Sequence, residues 1–373
     1  MENPCSAFAD KKSAEIDNKN ILFIFIYSFA SKLIFMKNIP IHFIVLFLIF
    51  FSSCNEKSIK NTDNQAITTE NKNIIPINFI RLEQELWKDK TPKGIENFLK
   101  NYPTFNKKYM AKIFPNDKIS IKEIGLGINN AAVDTLFQIT QTEFKDIKIL
   151  ENQFAEAANE IKKHYPTYYT QEFYTFLSGM GFWGQDFLIS DSMIVVSLDY
   201  FLGDKCKYQP QLPQYILKRY RKEYVIPTIV ASIGNHYIQG EITDNSLVAE
   251  MIFFGKMYYF VEQIMPQISS EIICGYTATE MKEVNEHQDV IWAHMIDKKL
   301  LFETKNEITN RYIGERPNVQ EIGNNCPGRI GRWLGWRIVK KYMLQNPTIS
   351  LKELMAEKDA KKIFIASKYK PEM

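Results

Sequence analysis

Apolar positions along the chain change their period as it proceeds, and those changes predict its elements. Over residues 245–265, Leu247, Met251, Ile252, Phe254, Tyr258, Tyr259 and Val261 fall at the spacing of one buried helical face. Residues 224–238 repeat the pattern with Val225, Ile229, Val230 and Ile233, and residues 279–302 with Met281, Val284, Ile291, Trp292, Met295 and Leu300. So do residues 142–164, through Phe144, Ile147, Leu150, Phe154, Ala157 and Ile161. Thr142 is placed to cap this helix, and His164, ahead of Tyr165-Pro166, closes it and favours its dipole. Two short helices parted by Thr91-Pro92-Lys93-Gly94 fit residues 79–102, and 103–139 reads as loop-rich. Elsewhere the pattern turns to β-branched and aromatic runs. Residues 173–177 and 192–201 are predicted strands bounded by Gly179, Gly181, Gly184, Gly203 and Asp204, and 74–77 a further short one. The expected fold class is α+β, predominantly α-helical with a small sheet, and the lack of a fixed-period repeat argues against a solenoid.

The stretch 324–343 organises the rest. Pro327 suits the first turn of a helix, so a helix is expected to begin there. Ile330, Trp333, Leu334 and Ile338 form its apolar face, whereas Gly331 and Gly335 leave a strip free of side chains. Each glycine in a helix interior costs about 1 kcal/mol relative to alanine. Gly328, Gly331 and Gly335 therefore imply a close neighbour that compensates. Arg329, Arg332 and Arg337, beside Trp333 and Trp336, either hold a carboxylate or lie along the indoles. If Glu250 faces Arg329 or Arg332, a buried ion pair joins this helix to the one over 245–265.

Composition adds a compartment. The chain has 373 residues, 45% hydrophobic and 24% charged, with 46 basic against 43 acidic side chains. That near balance, without a long run of one sign, gives no footing for a nucleic-acid partner. Near the start, Met36-Lys37-Asn38 precedes the apolar run 39–51 and then Ser52-Ser53-Cys54, the order of a bacterial lipoprotein signal. Cys54 would become the first mature residue and carry acyl chains such as palmitate, which together anchor a protein to a membrane; the alternative is a transmembrane anchor that ends at a cysteine by chance. A second apolar stretch, 21–35, lies upstream of this complete signal, so translation is expected to start at Met36. The expected organisation is an extension and signal over 1–53, a flexible tether over 54–73, rich in Lys, Asn, Thr and Ser, and one globular domain over 74–373. Cys206, Cys274 and Cys326 leave room for at most one disulfide among them.

Candidate chemistry is sparse. Among His164, His236, His287 and His294 no pair has the four-residue spacing of a zinc peptidase helix, and a site built from His236, Glu250 and Glu262 would need scattered ligands. A Gly-x-Ser-x-Gly elbow is absent, and Gly179-Met180-Gly181-Phe182-Trp183-Gly184 resembles a phosphate loop only loosely, without its lysine. No cofactor or metal is called for.

With these residues in view, the chain resembles the gliding-motility lipoprotein GldB family over about 77–369. The likeness is carried by Pro327 to Val339, by Ala249 to Phe260, by 192–204 ending in Tyr200-Phe201-Leu202-Gly203-Asp204, and by Ser367-Lys368-Tyr369-Lys370-Pro371. It implies a cell-envelope lipoprotein associated with gliding motility or type IX secretion, without an established catalytic activity. The family is in turn distantly similar to zinc peptidases, which implies a degenerate zincin-like fold with the metal helix over 228–236. The expected function is non-catalytic: a lipid-anchored protein, placed at the outer membrane facing the periplasm, that binds envelope or motility proteins. The candidate groove between 245–265 and 327–343 comprises Glu250, Arg329, Arg332, Trp333 and Trp336, with Asp204 and His236 as further candidates. The alternative is an enzyme acting on peptide or peptidoglycan through Asp199, Asp204, Glu250, His236 and the Arg329/Arg332 pair.

Overall fold

A run of five buried residues, Met193–Ser197, forms the strand on which the small sheet is laid down. Its Met-Ile-Val-Val sequence lacks the polar alternation of a half-exposed strand, as a strand covered on both faces requires. In the computed structural model, which describes residues 76–371 apart from 205, 241 and 242, this strand is β4. It pairs in parallel with β2 (Glu172–Phe176) in the register Tyr174↔Val195, and antiparallel with β3 (Phe187–Ile189) in the register Leu188↔Val195. The two-residue β1 (Ile80–Arg81) completes the order β1-β2-β4-β3. Phe79 stacks on Phe173, with ring centroids 3.5 Å apart, and fastens the entering chain to the sheet.

Helices supply everything else: α1 (Leu82–Trp87), α2 (Pro92–Asn101), α3 (Asp117–Ile128), α4 (Ala131–Glu143) and α5 (Lys148–His164) lie between β1 and β2 in sequence. After the sheet come α6 (Val225–Tyr237), α7 (Leu247–Ile264), α8 (Ala278–Glu286), α9 (Gln288–Asp297), α10 (Asn306–Ile313), α11 (Ile330–Gln345), α12 (Leu351–Ala356) and α13 (Ala360–Ser367). The expected class, predominantly α with one small sheet, describes the molecule. No helix among the described residues is long and apolar enough to cross a membrane. Met36, Cys54 and the tether over 54–73 lie outside the described residues.

The glycine strip of 324–343 has its neighbours. A Cβ on Gly335 would lie 1.8 Å from the carbonyl oxygen of Met251, and one on Gly255 2.4 Å from that of Gly335, so α7 and α11 cross backbone against backbone. Gly331 faces α10 instead, where a Cβ would lie 2.8 Å from Ile313 Cδ1. Gly234 of α6 meets the Phe260 ring of α7 in the same way. Contact at this range recovers the dispersion energy that offsets the poor helix propensity of glycine.

Several local expectations fail for identifiable reasons. The helix begins at Ile330, not Pro327: Pro327 pairs with Asn318 in a β-bridge, the Val319 N–H donates to the Cys326 carbonyl at 2.8 Å, and Arg329 turns the chain at a φ of 61°. A proline φ serves extended chain as well as a helix start. The segment 103–139 is largely helical, with α3 and α4 capped by the side chains of Asn116 and Asn130. Outward-facing Leu126, 57% exposed, blurs the apolar stripe of α3. Thr142 ends α4 rather than capping α5, its hydroxyl donating to the Gln138 carbonyl at 2.9 Å. Residues 279–302 break at His287 into α8 and α9. The strand over 192–201 stops at Ser197 and tightens into a 3₁₀ turn over Leu198–Phe201. The strand expected over 74–77 is found at β1 instead, its first two positions lying outside the described residues. Cys206, Cys274 and Cys326 are free thiols.

Candidate functional site

The α7–α11 pair carries charge at both ends, and the two ends differ. At the start of α11, Arg329 and Arg332 are buried, 7% and 6% exposed. The Arg332 Nε–H donates to the Ile313 carbonyl at 2.7 Å, at the C-terminal end of α10 where a cation is favoured, and its guanidinium lies 4.1 Å over the Phe254 ring. Arg329 donates to the Cys274 carbonyl at 2.8 Å and lies 3.6 Å from Glu315, which takes a bidentate pair from Arg219 at 3.0 and 2.9 Å. Burial would raise the Glu315 carboxyl, but Arg329, Arg219 and Arg332 outweigh it and hold it at about 2. The ion pair at this end thus joins buried Arg329 to half-buried Glu315, contributed by the loop after α10, where Glu250 was expected. Glu250 is half-buried; burial raises its carboxyl and the charge of Arg332 opposes the rise.

At the far end the two helices open into a cleft of about 570 Å³. Tyr259, Glu262 and Gln263 of α7 form one side, and Arg337, Lys340, Lys341, Met343 and Leu344 of α11 the other. His164, Gln288, Pro347, Ile349, Leu351, Tyr369 and Lys370 complete the lining. Glu262 is committed within this wall: it accepts the Trp336 indole N–H at 2.9 Å and the Lys340 ammonium at 2.6 Å, while Lys340 lies 4.7 Å over the Trp336 ring. Arg337 and Lys341 are half-buried and Lys370 exposed; among the described residues none of the three has a hydrogen-bond or ion-pair partner. His164 lies 3.8 Å from Glu160. The cleft therefore sets four cations against one carboxylate that is already engaged.

The seven groove candidates of the folded chain do not gather at one place. Trp336 reaches the cleft through Glu262. Trp333, Arg329 and Arg332 lie in the interior, 1%, 7% and 6% exposed, as parts of the helix packing. His236 is exposed at the end of α6, its ring beside that of Tyr237, and Asp204 is exposed beside Lys218, Arg221 and Tyr276 at a separate small cleft of about 170 Å³. Among the described residues no three His, Cys, Asp or Glu side chains are grouped so as to hold a metal ion, and His236, Glu250 and Glu262 are not brought together. Asp199 is wholly buried in the loop that resembles a phosphate cradle: its carboxylate accepts the N–H groups of Ser178 at 3.0 Å and Met180 at 2.7 Å and the Ser178 hydroxyl at 3.1 Å. Burial raises this carboxyl, and those donors oppose the rise.

The sequence held one signal for the cleft. Arg337, Lys340 and Lys341 recur at helical spacing beyond Trp336, a cationic face next to an aromatic one. Glu262, Gln288 and Lys370 carry no such signal, because they come from elements far apart in the chain.

In comparison with protein families, the profile described as gliding motility protein GldB matches residues 60–371. Comparison with curated proteins and with solved structures found no match.

Proposed function

The chain belongs to the gliding motility protein GldB family, whose members are gliding-motility-related lipoproteins of the cell envelope, and on that premise we propose that it works as a non-catalytic binding component. Acyl chains on Cys54 hold it at the outer membrane facing the periplasm, the tether over 54–73 gives it reach, and the cleft between α7 and α11 receives a partner of the motility or type IX secretion apparatus. One observation carries this reading. The buried charges Arg329, Arg332 and Asp199 are engaged with backbone or with half-buried Glu315, whereas Arg337 and Lys341 at the cleft are half-buried and, among the described residues, without partners. Cations held so are available to a ligand, and a partly desolvated cation favours one that brings opposite charge.

Site-specific photocrosslinking tests it. A crosslinking side chain at Leu344, 71% exposed at the cleft, is compared with one at Leu126 of α3, in a gliding strain whose own copy is deleted. A discrete envelope protein captured from position 344 and not from 126, with gliding restored by both variants, supports the reading. Equal capture from both positions, or none, counts against it. Hydrolysis of peptide or peptidoglycan by the purified protein, lost on His236→Ala, would favour the enzymatic alternative.

A further inference from the structure

Resting on the partner-binding reading above, we infer that the cleft takes a carboxylate-bearing peptide segment, with Arg337 as the fork that receives the carboxylate. Charge complementarity comes first. The whole chain is nearly balanced, yet Arg337, Lys341 and Lys370 meet at this cleft without a counter-charge among the described residues, and the carboxylate of Glu262 is consumed by Trp336 and Lys340. Arg337 and Lys341 are four apart on α11 and so share one face, which lets an acidic side chain meet two cations at once. A guanidinium offers two parallel donors to a carboxylate, the geometry that makes such pairs specific.

Two further features select a peptide over an isolated anion. The cleft of about 570 Å³ has room for several side chains, and Met343, Ile349 and Leu351 give it an apolar wall for which a small anion has no use. The segment that fits is acidic with apolar residues beside the acid.

The test uses the full-length protein in detergent micelles and a fluorescein-labelled heptapeptide of Leu, Asp and Glu, read by anisotropy. Its counterpart has Asn and Gln in place of the acids. Binding of the acidic peptide alone is expected, weakened about tenfold by Arg337→Gln and about threefold by Lys341→Gln, with no change for the exposed Lys112→Gln. Raising salt from about 50 to about 300 mM should weaken it further. Near-native melting of each variant ensures that a folded protein is compared. Equal binding of both peptides, indifference to Arg337→Gln, or binding only to phosphatidylglycerol vesicles overturns the inference. Crosslinking from position 344 separates the two claims. Partner capture undiminished by Arg337→Gln removes the acidic ligand and leaves partner binding standing, whereas no capture by either protein removes both.

Discussion

The two ends of the α7–α11 pair use the same residue types for opposite ends. Where α11 starts, guanidiniums are buried and each finds a carbonyl, a ring or the Glu315 carboxylate. Two to three turns further, Arg337 and Lys341 are half-buried and, among the described residues, unmatched. Desolvating a charge is costly, so a fold places arginines in its interior only where partners are built in. The first set therefore holds helices in position and the second is free to meet something else. Composition does not distinguish them; their surroundings do.

Five substitutions break or sharpen this contrast. The largest effect is expected at the crossing that joins both ends. Gly335→Val would press its side chain into the Met251 carbonyl and should destabilise the protein by about 4 kcal/mol or more, read by urea unfolding. A variant within 1 kcal/mol of the parent would show that the helices part easily. Next comes Glu315→Gln, which leaves buried Arg329 and half-buried Arg219 without their carboxylate and should cost about 2 kcal/mol. The same residue predicts a pH dependence. Its carboxyl is held at about 2 in the folded protein against an ordinary 4.5, so as pH falls the unfolded chain takes up the proton first. The stabilisation is fully present above pH 4.5 and is lost between about 4.5 and 2; the parent's stability should decline across that window more steeply than that of the Gln variant.

A smaller effect is expected at Gly331, where a Cβ would lie 2.8 Å from the end of the Ile313 side chain and 3.1 Å from the Tyr312 carbonyl oxygen. Gly331→Ala should cost about 1 to 2 kcal/mol, since the Ile313 side chain can shift and alanine favours the helix while the Tyr312 carbonyl has to give way slightly. The smallest belongs to the cleft. Arg337→Gln and Lys341→Gln should leave the unfolding midpoint unchanged within about 0.5 kcal/mol, because no internal partner is lost. A large loss there would mean that these cations hold the fold together, and the contrast between the two ends would fail.

Legibility in the sequence followed the range of the interaction. The helices over 245–265 and 324–343 could be read because their apolar positions repeat locally, and the close crossing because Gly331 and Gly335 are expensive unless something approaches. The Arg329 pair was half legible: its need for a carboxylate could be argued, but Glu315 lies in the loop after α10, whose course depends on the Asn318–Pro327 bridge. The cleft was least legible. Of its lining, Arg337, Lys340 and Lys341 have a shared spacing, while His164, Gln288 and Lys370 reach it from separate elements and meet only in three dimensions. Glu250, Asp204 and His236 looked equally plausible on a line of text, and only their surroundings distinguish them from Glu262.

The turn over residues 178–184 shows what a resident acid does to an inviting shape. Glycines and left-handed residues aim main-chain donors inward, an arrangement that elsewhere welcomes phosphate. Asp199 already occupies that berth, so a nucleotide would have to evict a tethered carboxylate that never diffuses away. Exclusion here comes from tenancy rather than from size, and the same tenancy latches the connection leaving β2 onto the turn that follows β4.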